Sequence, residues 1–283
     1  MRDKPLKALY QKACDIDWQA FKPGNVSQYA EGHGMTCTDF KISAEVSAEA
    51  ICKRNYSLGE KIFYAVKATR DAVGCNTNLG IILLCAPLLE AVITIRPHET
   101  LHQALTRTLA TTTVDDAVWT FKAIALANPG GLGNSEQQDV NMQATVTLTE
   151  AMQIAAGRDR IALQYASGYK DIFEIARLSY NASFNRFGDE NWAAVRVYAD
   201  LLSRFPDSHI ERKFGHKYSD LVIRKMTRLS TELAKADHPE HLKPVLYELD
   251  TEFKSLGINP GTTADLVVAT VLAFFLEDLI SKT

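Results

Sequence analysis

The sequence predicts an all-α protein: a single multi-helix domain over residues 1–283, with a central buried helix and glycine-containing polar loops at helix starts. Three observations carry that prediction. Apolar residues recur three and four apart through nearly the whole chain, as in "LGEKIFYAVKATRDAV". No run alternates apolar with polar residues, and the β-branched residues cluster inside helix-like patterns, so strand signals are nearly absent. No stretch rich in Pro, Gly or Ser divides the 283 residues and no internal repeat is visible, so a chain long enough for a large core shows no seam.

Taken in order, the first helix is "PLKALYQKACDIDWQA", ended by Pro23-Gly24. "TDFKISAEVSAEAICKR" takes Thr38 or Asp39 as its cap and runs to about Arg54. "LGEKIFYAVKATRDAV" follows, and then Leu79–Ile95, which is apolar all round and therefore belongs at the centre. Further helices fit Thr100–Thr108, Thr113–Ala127, Thr145–Ala156, Arg160–Ala166 and Asp171–Gly188. The last third adds Asn191–Phe205, His209–Lys235, His238–Leu256 and Thr262–Ser281, with Asp207 or Ser208 as a cap in "FPDSHIERKFG". The final apolar run, "ADLVVATVLAFFLEDLI", suits a core helix or the seam of a homodimer.

Composition narrows the function. With 31 basic against 34 acidic residues the net charge is −3, so no general basic field exists to attract nucleic acid or an anionic membrane. An anionic ligand must be met by local groups. The N-terminus has no long apolar stretch and no small-residue cleavage site, so no signal peptide is expected. Pro87 and Glu90 interrupt one greasy segment, and Asp265 and Glu277 bracket the other, which leaves neither able to span a bilayer. The five cysteines are odd in number and form no CxxC pair, which suits reduced thiols in the cytoplasm. His98 and His102 stand four apart but without a carboxylate partner, a poor zinc site.

The polar punctuation says more. Pro-Gly occurs in "FKPGNVS", "NPGGLGNSEQQDV" and "NPGTTADL", and "GCNTNLG" makes a fourth glycine-containing loop. Capping and turn formation account for any one of them. Four in one helical chain fit a ligand cradle, because glycine admits close backbone approach and the first turn of a helix offers free N–H groups to phosphate oxygens. Neither GxxxxGK[ST] nor GxGxxG is present, and there is no GxSxG for a serine nucleophile. Cys75 has no histidine near it in sequence.

A triphosphate site needs N–H donors, cations, and carboxylates for Mg²⁺. Lys22, Arg158, Arg160, Arg212 and Lys213 are the candidate cations. Asp17, Asp39, Glu136, Asp139, Asp171 and Asp265 are the candidate acids, and Asp171 would share a helix face with Glu174. His209 is a candidate acid or base with no visible partner.

Together "KPGNVS", "GCNTNLG", "GGLGNSEQQDV", "AMQIAAGRDRIALQYASGYKDIFE", "DSHIERKFG" and "NPGTTADL" resemble the triphosphoribosyl-dephospho-CoA synthase family, from about Ala13 to Leu266. The resemblance implies an all-α fold and a transfer from ATP. The 2′-hydroxyl of 3′-dephospho-CoA attacks C1′ of the ATP ribose, adenine leaves, and the triphosphate is retained. It implies small-molecule partners, with ATP as co-substrate and Mg²⁺ as cofactor. Residue by residue, Lys22, Gly24 and Asn25 match the Lys-Pro-Gly loop, and Asp17 stands where an acid precedes it. Gly74, Asn76, Thr77 and Gly80 match the Gly-x-Asn-Thr loop. On this reading Asp17, Asp39 and Asp139 are catalytic candidates; Asp139, Asp171 and Asp265 are metal candidates; and Arg158, Arg160, Arg212 and Lys213 join the matched loops in nucleotide binding. Decarboxylase-linked members commonly carry His-Lys where this chain has Asn78-Leu79, which removes a cation from the loop. The variant looks like the branch found in archaea and in bacteria with methanopterin-type C1 carriers. A different acceptor, or a non-catalytic nucleotide-binding accessory role, is the alternative expectation.

Overall fold

A computed structural model describes residues 3–32, 34–130 and 137–282. Helix α1 spans Asp3–Gln19, α2 Cys37–Ile51, α3 Leu58–Val73, α4 Leu79–Ile93, α5 Leu101–Ala110, α6 Val114–Ala127 and α7 Leu148–Ala155. Then come α8 at Arg160–Ser167, α9 at Arg177–Phe187, α10 at Glu190–Leu202, α11 at Ser208–Phe214, α12 at Ser219–Lys235, α13 at Lys243–Ser255 and α14 at Gly261–Ser281. Among the described residues the only β-type pairing is two isolated bridges, Ser27 with Ala30 and Gly32 with Met35. The fold is all-α, as the periodicity predicts.

Local chemistry fixes many of the helix starts. Helices α2, α3, α5, α6 and α7 open on a reciprocal box, a Ser or Thr cap answered three residues later by Asp, Glu or Gln. For α2 the cap is Thr36 rather than Thr38 or Asp39; Asp39 is the residue that answers it, its Oδ2 accepting from the Thr36 backbone N–H at 2.8 Å. Asp159, Asp189 and Asp207 cap α8, α10 and α11.

Three expected helices are not regular throughout. Residues Asp171–Ala176 form a π-helical turn ahead of α9, following Tyr169 in a left-handed conformation at φ 63°. The expected His209–Lys235 helix breaks after α11, where Gly215 takes φ 60° and a 3₁₀ turn over Gly215–Tyr218 leads into α12. Pro239, lacking an N–H, starts a 3₁₀ turn before α13.

Helix α4 runs through the centre with nearly every side chain buried, packed on α14, α5, α3, α2 and α8. Pro87 sits inside it and cannot donate to the Leu83 carbonyl one turn back. The Tyr165 hydroxyl donates to that carbonyl at 2.6 Å, and the Tyr169 hydroxyl to the Leu84 carbonyl at 3.0 Å. Both tyrosines are fully enclosed; Tyr165 delivers the hydrogen bond that the proline withholds, and Tyr169 adds one at the next carbonyl. The second central helix, α14, packs on α1, α4, α9 and α10, and one contiguous core extends from Leu6 to Leu276. No helix among the described residues is long and apolar enough to cross a membrane. None of the five cysteines forms a disulfide.

Candidate functional site

The α4 entrance lies in the wall of a cleft of about 390 Å³, inside the roughly 300–1,000 Å³ range of small-molecule sites. Gly74 ends α3 in a left-handed cap at φ 73°. Asn76 Oδ1 accepts the Leu79 backbone N–H at 3.2 Å, satisfying one free donor of α4. The Thr77 hydroxyl pairs with Ser43 Oγ at 2.6 Å, and Asn78 Nδ2 donates to Ser47 Oγ at 3.4 Å, so α2 holds the loop from behind. Asn76, Thr77, Leu79 and Gly80 face the cleft.

Gly80 makes room for an acid. A Cβ at position 80 would lie 2.0 Å from Asp265 Oδ2 and 2.7 Å from Ile161 Cδ1. Asp265, on the first turns of α14, is half-buried in the cleft wall. Burial raises its pKa well above the usual carboxylate range, reinforced by the charges of Asp17 and Asp207 and, more weakly, Asp159, against the pull of Arg212.

Asp17, near the end of α1, reaches the same cleft. Lys22 backs it: fully buried, its Nζ ion-pairs with Asp17 Oδ1 at 2.9 Å and donates to the Asp17 carbonyl. Asn25 Nδ2 donates to Asn259 Oδ1 at 2.6 Å, while Asn25 Oδ1 is buried without a hydrogen-bond donor. Gly24, at φ 89°, gives its N–H to Asp250 Oδ1 at 2.8 Å and packs against the Ile258 carbonyl and Pro260. The Asn25–Asn259 bond joins "KPGN" to "NPGT", residues 234 positions apart.

The third wall comes from α8 and α11. Asp159 Oδ1 accepts the Ile161 and Ala162 N–H groups, and its Oδ2 pairs with Arg212 Nη1 at 2.5 Å. Asp207 Oδ1 accepts the His209 and Ile210 N–H groups, and its Oδ2 accepts both the N–H and the hydroxyl of Thr263. One buried carboxylate therefore caps α11 and ties it to the start of α14. Arg158, Asp159, His209 and Arg212 all line the cleft. Apolar side chains line the cleft as well, Phe40, Leu83, Phe121, Ile124, Met152 and Ile161, together with Asp139 in the loop before α7. Asp139 Oδ1 accepts from the Asn141 backbone and side-chain nitrogens at 2.9 and 3.0 Å.

Of the residues expected from sequence, Asp17, Asn25, Asn76, Thr77, Gly80, Asp139, Arg158, Arg212 and Asp265 meet in this cleft. The others stand elsewhere. Asp39 is committed to the α2 box, and Lys22 and Gly24 stand behind Asp17 and Asn25 as supports. Gly74 shapes the loop from the α3 side. Arg160 Nη2 pairs with Asp171 Oδ2 at 2.9 Å, and Gln164 Nε2 donates to the same oxygen at 2.6 Å, so these two expected site charges neutralise each other below the wall. Lys213 is exposed and donates to the Gly257 carbonyl at 3.4 Å. Glu136 and most of "GGLGNSE" lie outside the described residues. Sequence reading missed Asp159, Asn259 and the apolar side chains as site components. The Asp of "GRDRI" stands between two arginines in sequence, but its partner is Arg212, 53 positions later.

The donor set fits Mg²⁺ bound together with a polyphosphate. Among the described residues no three His, Cys, Asp or Glu side chains form a ready-made cluster. Mg²⁺ usually needs only one or two carboxylates, the substrate phosphates completing its shell. Asp265, crowded by other acids, and the donor-free Asn25 Oδ1 would be oxygen ligands of that kind.

Fold and site define an all-α protein with an acid-walled cleft sized for a small molecule. The same fold is found in a crystal structure of a protein from Archaeoglobus fulgidus, provisionally assigned as a triphosphoribosyl-dephospho-CoA synthase: TM-score 0.63, 24% identity, covering 82% of this chain and 96% of that one. Residues 3–283 match the CitG family, ATP:dephospho-CoA triphosphoribosyl transferase, and the chain belongs to that family. It is a transferase. No curated protein matches the sequence.

Proposed function

We propose that the protein transfers the triphosphoribosyl group of ATP to the 2′-hydroxyl of 3′-dephospho-CoA, with adenine as the leaving group. One observation carries this reading: a single cleft lined by carboxylates, arginines and a set of large apolar side chains. The apolar side chains suit a purine. Arg158 and Arg212 suit the retained triphosphate. Asp265 would hold Mg²⁺, with Asp139 as the second candidate. The ion, when bound, neutralises phosphate charge. Asp17, held by buried Lys22, is the carboxylate to stabilise the positive charge that develops at C1′ and to accept the proton of the attacking hydroxyl. The test is incubation with ATP, Mg²⁺ and dephospho-CoA, following free adenine and the mass of the product. Adenine release with a product heavier than dephospho-CoA by one triphosphoribosyl unit is expected; its absence would sink the reading.

A second reading keeps the donor chemistry and changes the acceptor. Its support is Leu79 in the cleft wall and Asn78 turned onto Ser47, which leave this loop without a cation. Adenine release with another hydroxyl-bearing cofactor precursor, and none with dephospho-CoA, would select it.

A further inference from the structure

We propose that His209 is the acid that protonates the departing purine, an inference that rests on the transfer reading above. His209 lines the cleft, one helical turn before Arg212 on the same face of α11. Its ring lies directly against the backbone of Gly261: a Cβ there would fall 2.8 Å from Nδ1. Any other residue at position 261 would push the ring away. The Asp207 carboxylate, shared between the His209 N–H and Thr263, fixes the start of α11 against that of α14. The imidazole is thereby held in register with Asp265, two residues past Thr263. The geometry is that of a positioned group.

The chemistry of the wall gives the ring its task. Among the described residues, the other titratable side chains there are those of Asp17, Asp139, Asp159, Asp265, Arg158 and Arg212. A guanidinium does not release its proton near neutral pH, whereas an imidazole both holds and gives one there. In the step, the C1′–N9 bond breaks and its electron pair goes to the purine. The imidazolium N–H passes its proton to a ring nitrogen of the base. The acceptor hydroxyl oxygen forms the new bond to C1′ and gives its proton to Asp17. That proton returns to the imidazole through solvent before the next turnover, so in sum one proton moves from the hydroxyl to adenine.

The test compares His209→Asn and His209→Ala with the parent protein on ATP and on N7-methyl-ATP, whose base already carries the positive charge that protonation would supply. Both variants should release adenine from ATP at least 100-fold more slowly, bind ATP within threefold of the parent, and release N7-methyladenine within about fivefold of it. Equal losses on the two substrates would mean that His209 only supports the wall and would overturn the proposal. Failure of the parent protein to cleave N7-methyl-ATP would also count against acid catalysis. If the parent releases no adenine from ATP at all, the transfer reading itself fails, and the two failures are told apart by that control.

Discussion

At the scale of single residues, the cleft depends on an atom that is missing. Alanine is the better helix former by up to about 1 kcal/mol, so Gly80 on the first turn of α4 would gain from a methyl group by propensity alone. Packing reverses the sign. The added Cβ would lie 2.0 Å from Asp265 Oδ2, and overpacking of that kind costs about 1–3 kcal/mol. Gly80→Ala is therefore expected to fold, with an unchanged far-UV spectrum, but to push the Asp265 carboxylate out of place. Adenine release should fall more than 100-fold, and the Mg²⁺ concentration for half-maximal activity should rise more than tenfold. An unshifted Mg²⁺ response would remove Asp265 from the metal site. Position 80 also shows how far residue roles can be read from sequence. The glycine is visible in "GCNTNLG", but its reason lies 185 positions away in "TTADL". Lys22 and Arg160 read as phosphate ligands because a sequence shows a charge and not its partner; folding gives them Asp17 and Asp171. Removing Lys22 would strand a buried acid, a change worth about 3–5 kcal/mol of stability, so its loss tests folding before binding.

At the scale of elements, helix positions are legible where the start signal is local. The box pattern at Ser57, Thr100, Thr113 and Thr147 lies within four residues of sequence. Gly215 and Pro239 mark two of the irregular pieces locally, whereas the course of α4 through Pro87 is not legible, because its support is tertiary. Pro87 in α4 reads as an interruption, yet the helix continues through it because Tyr165 and Tyr169 supply donors from another segment. Removing a donor from a buried carbonyl costs about 1–3 kcal/mol. Tyr165→Phe should thus lower the unfolding free energy by that amount, read as a lower urea midpoint with the slope of the transition unchanged. Pro87→Ala restores an N–H opposite the Leu83 carbonyl, so the Tyr165→Phe loss should shrink by at least half in that background. Equal losses in both backgrounds would show that the tyrosine contributes packing alone.

At the scale of the whole molecule, the cleft is assembled from parts of α1, α2, α4, α6, α7, α8, α11 and α14, and the same helices bury one continuous core. A ligand in the cleft therefore bears on elements from both ends of the chain. Binding to the folded state alone stabilises by RT ln(1 + [L]/Kd), about 2.7 kcal/mol at a ligand concentration of 100 Kd. ATP with Mg²⁺ should accordingly raise the thermal midpoint by several degrees, and ATP with EDTA by less. Asp265→Asn should abolish the difference between the two conditions while keeping the shift produced by ATP alone, because Arg158 and Arg212 are untouched by the change. A Mg²⁺-dependent shift surviving in Asp265→Asn would move the metal to another carboxylate, with Asp139 next to be tested. Paired with the adenine-release assay, the measurement also separates catalysis from mere binding. A protein that only carries nucleotide would show the full shift and release no adenine with any hydroxyl acceptor.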